Sequence, residues 1–263
     1  MSEATVDPSN DQKTLAPRGM VMDSDAQIPR EVISTAGNAF TCGTEKMGTE
    51  MDMVILASAK TRMYFENAYK PGVEQFPACY SVGQSDMPSA NAPKPQSEKC
   101  ETCPLSMWDG KKPPKCQERR KLVGIRMLTI KQPDGTVKRE ANIKLTVLNV
   151  FPTSVNASKD NPSAIRPYLA TLGPKGYTKE SVITHIKVES KAPKPGANMI
   201  FSMSGMAEEM GLQPAMIVGF KGAAIEESLY EPKPRPEEGA DDEAEVKAVA
   251  ESNVKREKKA AKF

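Results

Sequence analysis

Four of the five cysteines stand at Cys79, Cys100, Cys103 and Cys116, a frame of C-x20-C-x2-C-x12-C. The Cys100–Cys103 pair offers two sulfurs from one tight turn, and the outer two can complete a tetrahedron. Four thiolates in that arrangement are the donor set of a closed structural zinc site. Zn2+ is therefore the expected metal, with an iron–sulfur cluster as the alternative, since such clusters also take four cysteines. Free thiols at incidental spacing are the remaining reading. It leaves residues 71–117 unexplained, because they hold eight prolines and no hydrophobic periodicity, too long for an ordinary loop unless something orders it. Cys42, in FTCGT, has no nearby partner and reads as a small buried residue rather than a ligand.

Catalytic chemistry has little to draw on. The single histidine, His185, sits inside the alternating run THIK, where a structural or solvent-facing role is expected and no Ser/His/Asp or Cys/His set assembles around it. A zinc deaminase needs an H-x-E element, and a hydrolytic zinc keeps an open position. The chain carries neither a Walker A sequence nor a GxGxxG after a strand. No enzyme activity is expected.

Charge supplies a different signal. Between Lys99 and Lys144 twelve Lys/Arg face five Asp/Glu, a surplus of seven within a chain whose formal net charge is only +2. A zinc ion on four thiolates lowers that surplus by two. The stripe can follow a phosphate backbone, with Lys111, Lys112, Lys115, Arg119, Arg120, Lys121, Arg126 and Lys144 as contacts taken as a set. Tyr64, Tyr80 and Trp108 lie on the strand and loop where bases can stack. Tyr64 and Phe65 point to opposite faces of a strand, so at least one belongs to the core, and basic residues on exposed strands also serve only to solvate them.

These residues need elements to hold them. MDMVILASAKTRMYFENAY from Met51 is β-rich and reads as a long bent strand with an irregularity at Ala57–Lys60. KLVGIRMLTIK and REANIKLTVLNV alternate and are joined by QPDGTVK, in which Asp134-Gly135 supplies positive-φ residues for a hairpin. NPSAIRPYLATLG reads as a short helix with Asn161 as cap, Pro162 in its first turn, Gly173 at its end and Pro167 awkward inside. SVITHIKVES and ANMIFSMSG are two further strands, and AEEMGLQPAMIVGF has no clear type. The order strand, hairpin pair, helix, strand, strand is that of a mainly β, OB-fold-like five-stranded barrel, with the zinc-binding insertion between its first and second strands.

Residues 1–28 are polar and aperiodic and read as a disordered arm; 29–230 form one nucleic-acid-binding domain with the insertion at about 71–117; 231–263 form a disordered charged tail. The start MSEATVDPSNDQK has neither a basic stretch nor an apolar run, and no segment reaches the roughly 20 apolar residues of a membrane span. A cytoplasmic protein without a membrane partner is expected, and in a reducing compartment clustered cysteines bind metal more often than they pair. The tail holds six acidic residues between Glu237 and Glu245, then Lys255, Arg256, Lys258, Lys259 and Lys262 before Phe263.

The sequence CYS at 79–81, CETCPLSMW at 100–108 and KCQERRKL at 115–122, followed by a hairpin, resembles a family of bacteriophage single-stranded DNA-binding proteins, OB folds with a four-cysteine insertion. The likeness spans about residues 50–205. It implies coating of exposed single strands during phage DNA replication, recombination or repair in the host cytoplasm, a metal on Cys79, Cys100, Cys103 and Cys116, and recruitment of replication proteins such as polymerase or helicase-primase through the acidic tail. The basic end of the tail departs from that pattern. The rival reading is a zinc-stabilised protein-interaction module, for example a transcription accessory factor that contacts polymerase.

Overall fold

The computed structural model describes residues 28–232, apart from 37–38, 68–75, 84, 111, 160 and 191–196. The predicted N-terminal arm apart from Ile28, which packs against the core, and the predicted tail apart from Glu231 and Pro232 thus lie outside the described residues. Within them the chain is mainly β, forming one sheet that curls without closing.

Nine strands make the sheet: β1 (Arg30–Ala36), β2 (Ala39–Cys42), β3 (Glu45–Gly48), β4 (Glu50–Tyr64), β5 (Cys79–Val82), β6 (Gln117–Lys131), β7 (Val137–Val150), β8 (Val182–Ser190) and β9 (Ala197–Met206). Helix α1 spans Ile165–Leu172 and α2 spans Pro214–Leu229. The strand order is β3-β2-β1-β7-β6-β4-β8-β9, with β5 paired to β4 beyond the end of β8. All ladders are antiparallel except β1 with β7. The five strands expected from the sequence are β4, β6, β7, β8 and β9. In the run β8-β4-β6-β7 the strand after the helix returns beside the first of the set, which is Greek-key order. The expectation of only five strands is corrected: β1, β2, β3 and β5 add to them, and β1 occupies the outer side of β7.

β4 is buried on both faces, which is why its sequence reads as a continuous apolar run rather than a clean alternation. Met51, Met53 and Ile55 join a cluster that includes Ile165, Tyr168 and Leu172 of α1. Val54, Leu56 and Ala57 join a second cluster under α2. That helix buries Phe220, Ala224 and Ser228, one residue per turn. Leu56 is an extra residue in β4, since Ile55 faces Gly124 and Ala57 faces Val123 of β6. The irregularity therefore precedes the predicted Ala57–Lys60. Gly124 is required there, because a Cβ on it would stand 1.9 Å from Val54 O.

Other local expectations shift for physical reasons. The β6–β7 loop runs from 132 to 136, longer than a two-residue turn; Gly135 alone has positive φ (84°), and Asp134 instead accepts the Thr136 amide at 2.8 Å. Asn161 does not cap α1. It is buried, with Nδ2 donating to Met199 O at 3.0 Å, and Ala164 stands at the cap. Helix α1 starts later than expected, so Pro167 falls in its first turn, where no intrahelical amide bond is lost.

Candidate functional site

Residues 76–116 leave the sheet at β5 and return at β6, and the four predicted cysteines hold their centre. Cys79 opens β5, Cys100 and Cys103 precede a short 3-10 turn at Pro104–Ser106, and Cys116 stands just before β6. Ser106 Oγ donates to Cys100 O at 2.7 Å and to Cys103 O at 2.8 Å, which knits the C-x2-C turn. The Cys116 amide donates to Leu105 O at 2.8 Å.

All four thiols are buried and line one cavity of about 10 Å³, together with Tyr64, Leu105 and three other residues. Burial pushes the Cys116 thiol up to about 11, and the neighbouring Cys79, Cys100 and Cys103 push it further in the same direction while Arg62 opposes. Cys79 is raised first by burial and also by Cys100 and Cys103. Among the described residues no three such side chains stand at ligand spacing already. The convergence is thus one of a shared cavity and mutual electrostatics. A metal fits this donor set on chemical grounds, since the thiols crowd one another with Arg62 as the one cation opposing the rise at Cys116, and a bound dication would deprotonate a coordinating thiol. Cys42, on β2, lies outside this group and packs half-buried against the α1-side core.

The predicted nucleic-acid contacts divide. Trp108 is 68% exposed at the outer end of the insertion. Beside it, Asp109 and Lys112 exchange backbone hydrogen bonds around Gly110, whose φ of 59° the turn demands. Lys112, Lys115 and Lys144 are exposed, and Lys111 lies outside the described residues. Tyr80 is corrected as a stacking residue: it is 1% exposed, its ring packs edge-on against Phe76, and its hydroxyl works with Ser89 and Glu231. Tyr64 is half-buried against the cysteine cavity, which gives it a wall to form rather than a free face.

Four of the predicted cations are engaged inside the fold. Lys121 is buried, and its ammonium caps the C-terminus of α2, reaching Tyr230 O at 2.7 Å and Glu227 O at 3.3 Å. Arg126 makes a two-pronged contact with Glu31 at 2.7 and 3.1 Å, and Thr146 adds a hydrogen bond to the same carboxylate. Arg119 lies 5.9 Å over the Phe65 ring, and its buried Nε has no partner among the described residues. Arg120 reaches Ser58 Oγ at 3.2 Å. A phosphate approaching Lys121 or Arg126 must displace contacts the fold already makes, so neither fits the predicted role.

His185 Nδ1 lies 2.8 Å from Asp52 Oδ1, and the same carboxylate lies 3.7 Å from Arg139 on its other oxygen. This polar cross-strand cluster joins β8, β4 and β7. Sequence reasoning missed a second basic group, Lys60, Lys179 and Lys221, because these residues are separated by up to 161 positions in the chain and meet only in the fold. Comparison of the chain with family models, with curated proteins and with solved structures returned no match.

Proposed function

We propose that the protein binds single-stranded DNA without sequence preference, as a coating protein of a phage-type replication or recombination system, and that Zn2+ on Cys79, Cys100, Cys103 and Cys116 orders the insertion that makes first contact. In this reading the run β8-β4-β6-β7 with α1 and β9 is an OB-like core. The observation that carries the proposal is that Trp108, the most exposed aromatic ring among the described residues, stands with the exposed Lys112 and Lys115 in the insertion that carries the four buried thiols. An exposed ring among lysines suits base stacking combined with phosphate neutralisation. Zinc on Cys79, Cys100, Cys103 and Cys116 would supply a structural anchor rather than a catalytic centre. A strand bound at the insertion would have to run along the sheet to reach Lys144, which is exposed on β7 next to the Leu145–Ile125 pair, while Lys121 and Arg126 serve the fold.

Trp108 is the chain's only tryptophan, so its fluorescence reports the contact directly. Titration with oligo-dT at two salt concentrations should quench it, with affinity falling steeply as salt rises and duplex DNA binding more weakly. Affinity that ignores salt, or that equals the duplex value, removes the proposal. The rival reading, a zinc-stabilised module that contacts a polymerase, draws on one specific feature: Val218, Ile225 and Leu229 leave an apolar stripe of α2 exposed.

A further inference from the structure

The pairing of β4 with β8 ends at Met53 and its pairing with β5 begins at Thr61, so residues 54–60 have no strand beside them on that side. The gap has the length of an ordinary strand. Within it, Leu56 O accepts Lys179 Nζ at 3.0 Å and Lys60 O accepts the Gly83 amide at 2.9 Å. Both carbonyls point outward. Alternation along the strand sends the N–H and C=O of Ser58 the same way, with no strand opposite them.

A cleft of about 490 Å³ fills the gap and is walled by α2. Four cations, Lys60, Arg120, Lys179 and Lys221, line it against one carboxylate, Glu180. Glu180 Oε1 takes Lys179 at 2.8 Å and Lys221 at 3.0 Å, while Lys60 has a 4.0 Å contact with the exposed Asp86 and Arg120 reaches Ser58 Oγ at 3.2 Å, so these two carry the cleft's surplus charge. The α2 wall is aliphatic, with Ile225 44% and Leu229 50% exposed. A strand edge, a positive rim and an apolar wall together describe the requirements of one kind of guest.

We propose that this cleft docks an extended acidic peptide of a partner protein, which adds a short strand at Ser58 of β4, sets carboxylates against Lys60 and Arg120, and lays apolar side chains on Ile225 and Leu229. Backbone pairing gives such a complex its affinity, and alternate side chains give it specificity. A nucleic acid suits the cleft less well. No aromatic side chain is among its described lining residues, so bases find nothing to stack on, and a sugar-phosphate chain offers no N–H for the Ser58 carbonyl. This inference goes beyond the DNA-binding reading and does not depend on it.

The test uses the full chain and a fluorescein-labelled octapeptide of alternating glutamate and valine, read by anisotropy, with the lysine–valine peptide as control and oligo-dT as competitor. The glutamate peptide alone should bind, Lys60→Glu should weaken it about tenfold, and hydrogen exchange at the Ser58 amide should slow on binding. Lys221→Glu, which removes the partner of Glu180 and turns the rim negative, is the second variant, used with a melting curve in case the first loses its fold. Binding that survives both variants in folded protein, an unchanged Ser58 amide, or displacement by oligo-dT overturns the proposal. Converting Glu237, Glu238, Asp241 and Asp242 to amides in the full chain should leave peptide affinity unchanged; a tenfold gain would make the chain's own tail the occupant and overturn the partner assignment.

Discussion

β4 runs for fifteen residues through two differently built regions. Its first half lies between two apolar clusters that draw on β6, β7, β8, both helices and the loops beside them. Its last residues, Thr61–Tyr64, pair with β5 at the foot of the insertion. Neither apolar cluster contains a residue of 76–116. The insertion is held by scattered backbone bonds, such as Ser89 N to Tyr80 O and Lys94 N to Ala78 O, both 2.8 Å, and by its four buried thiols. Burial of apolar area stabilises the sheet whatever the solution contains. The insertion's own apolar burial is small, with Tyr80 against Phe76 its main case, and on the proposed reading a metal held by the cysteines supplies the rest of its order.

The largest expected effect follows from that difference. Replacing Cys103 by Ser, or removing metal with a strong chelator, should abolish amide-exchange protection across 76–116 while the amides of β6 and β7 between the clusters keep theirs. Elemental analysis of the native protein should find about one zinc per chain, as a four-thiolate structural site requires. Loss of protection in both regions together would show that the insertion is part of the sheet's cooperative unit and would break the comparison.

The sheet has its own weak point, of a different kind. Gly124→Ala places a methyl against Val54 O, a backbone atom that cannot rotate away. Either β6 retreats from the bulge at Leu56 or the bulge is lost, and overpacking of this sort costs about 1–3 kcal/mol or more. The melting temperature should fall while zinc content stays at the wild-type value. An unchanged melting temperature would mean that the bulge is not fixed by the close approach of the two strands.

The two regions were also unequally legible in the sequence. The hairpin β6–β7 and strands β8 and β9 alternate, so period alone places them. The frame of four cysteines was legible from its spacing alone, and the fold does bring those four to one cavity. Strands β1 to β3 were missed since short pieces such as AFTC and EKMG carry too little pattern. Helix α2 was missed because apolar residues fall on all its sides, so no stripe marks the buried face. Two of the basic contacts, Lys121 and Arg126, were misplaced for a deeper reason: a Lys or Arg letter does not say whether its charge faces water. Lys121 ends as a helix cap and Arg126 as the partner of a buried Glu31, while the cleft lysines become neighbours only through β4, β8 and α2.

The smallest expected effect sharpens the comparison, because it concerns the contact that ties the regions together. Helix α2 is pinned to the sheet at its end by Lys121 and by Arg30, whose guanidinium lies 3.0 Å from Glu227. Two residues past the helix, Glu231 reaches the insertion, taking the Asn91 side chain at 2.8 Å. Hydrogen bonds from Ser89 and Asn91 hold its carboxyl below the ordinary value of 4.5. A depressed acid stabilises the folded state above its unfolded pKa, and that contribution disappears as pH falls through the folded value. At pH 7 Glu231→Gln should therefore speed amide exchange at Asn91 by no more than about fivefold, the ceiling of ~1 kcal/mol for an exposed charged contact. As pH drops below 4.5, the two proteins should converge. Acid would also release a zinc held by the four cysteines, but equally in both proteins, so the difference between wild type and variant isolates Glu231. A difference that persists in acid, or none at neutral pH, would mean that this carboxylate does not join insertion to sheet and that the two regions communicate only through β4.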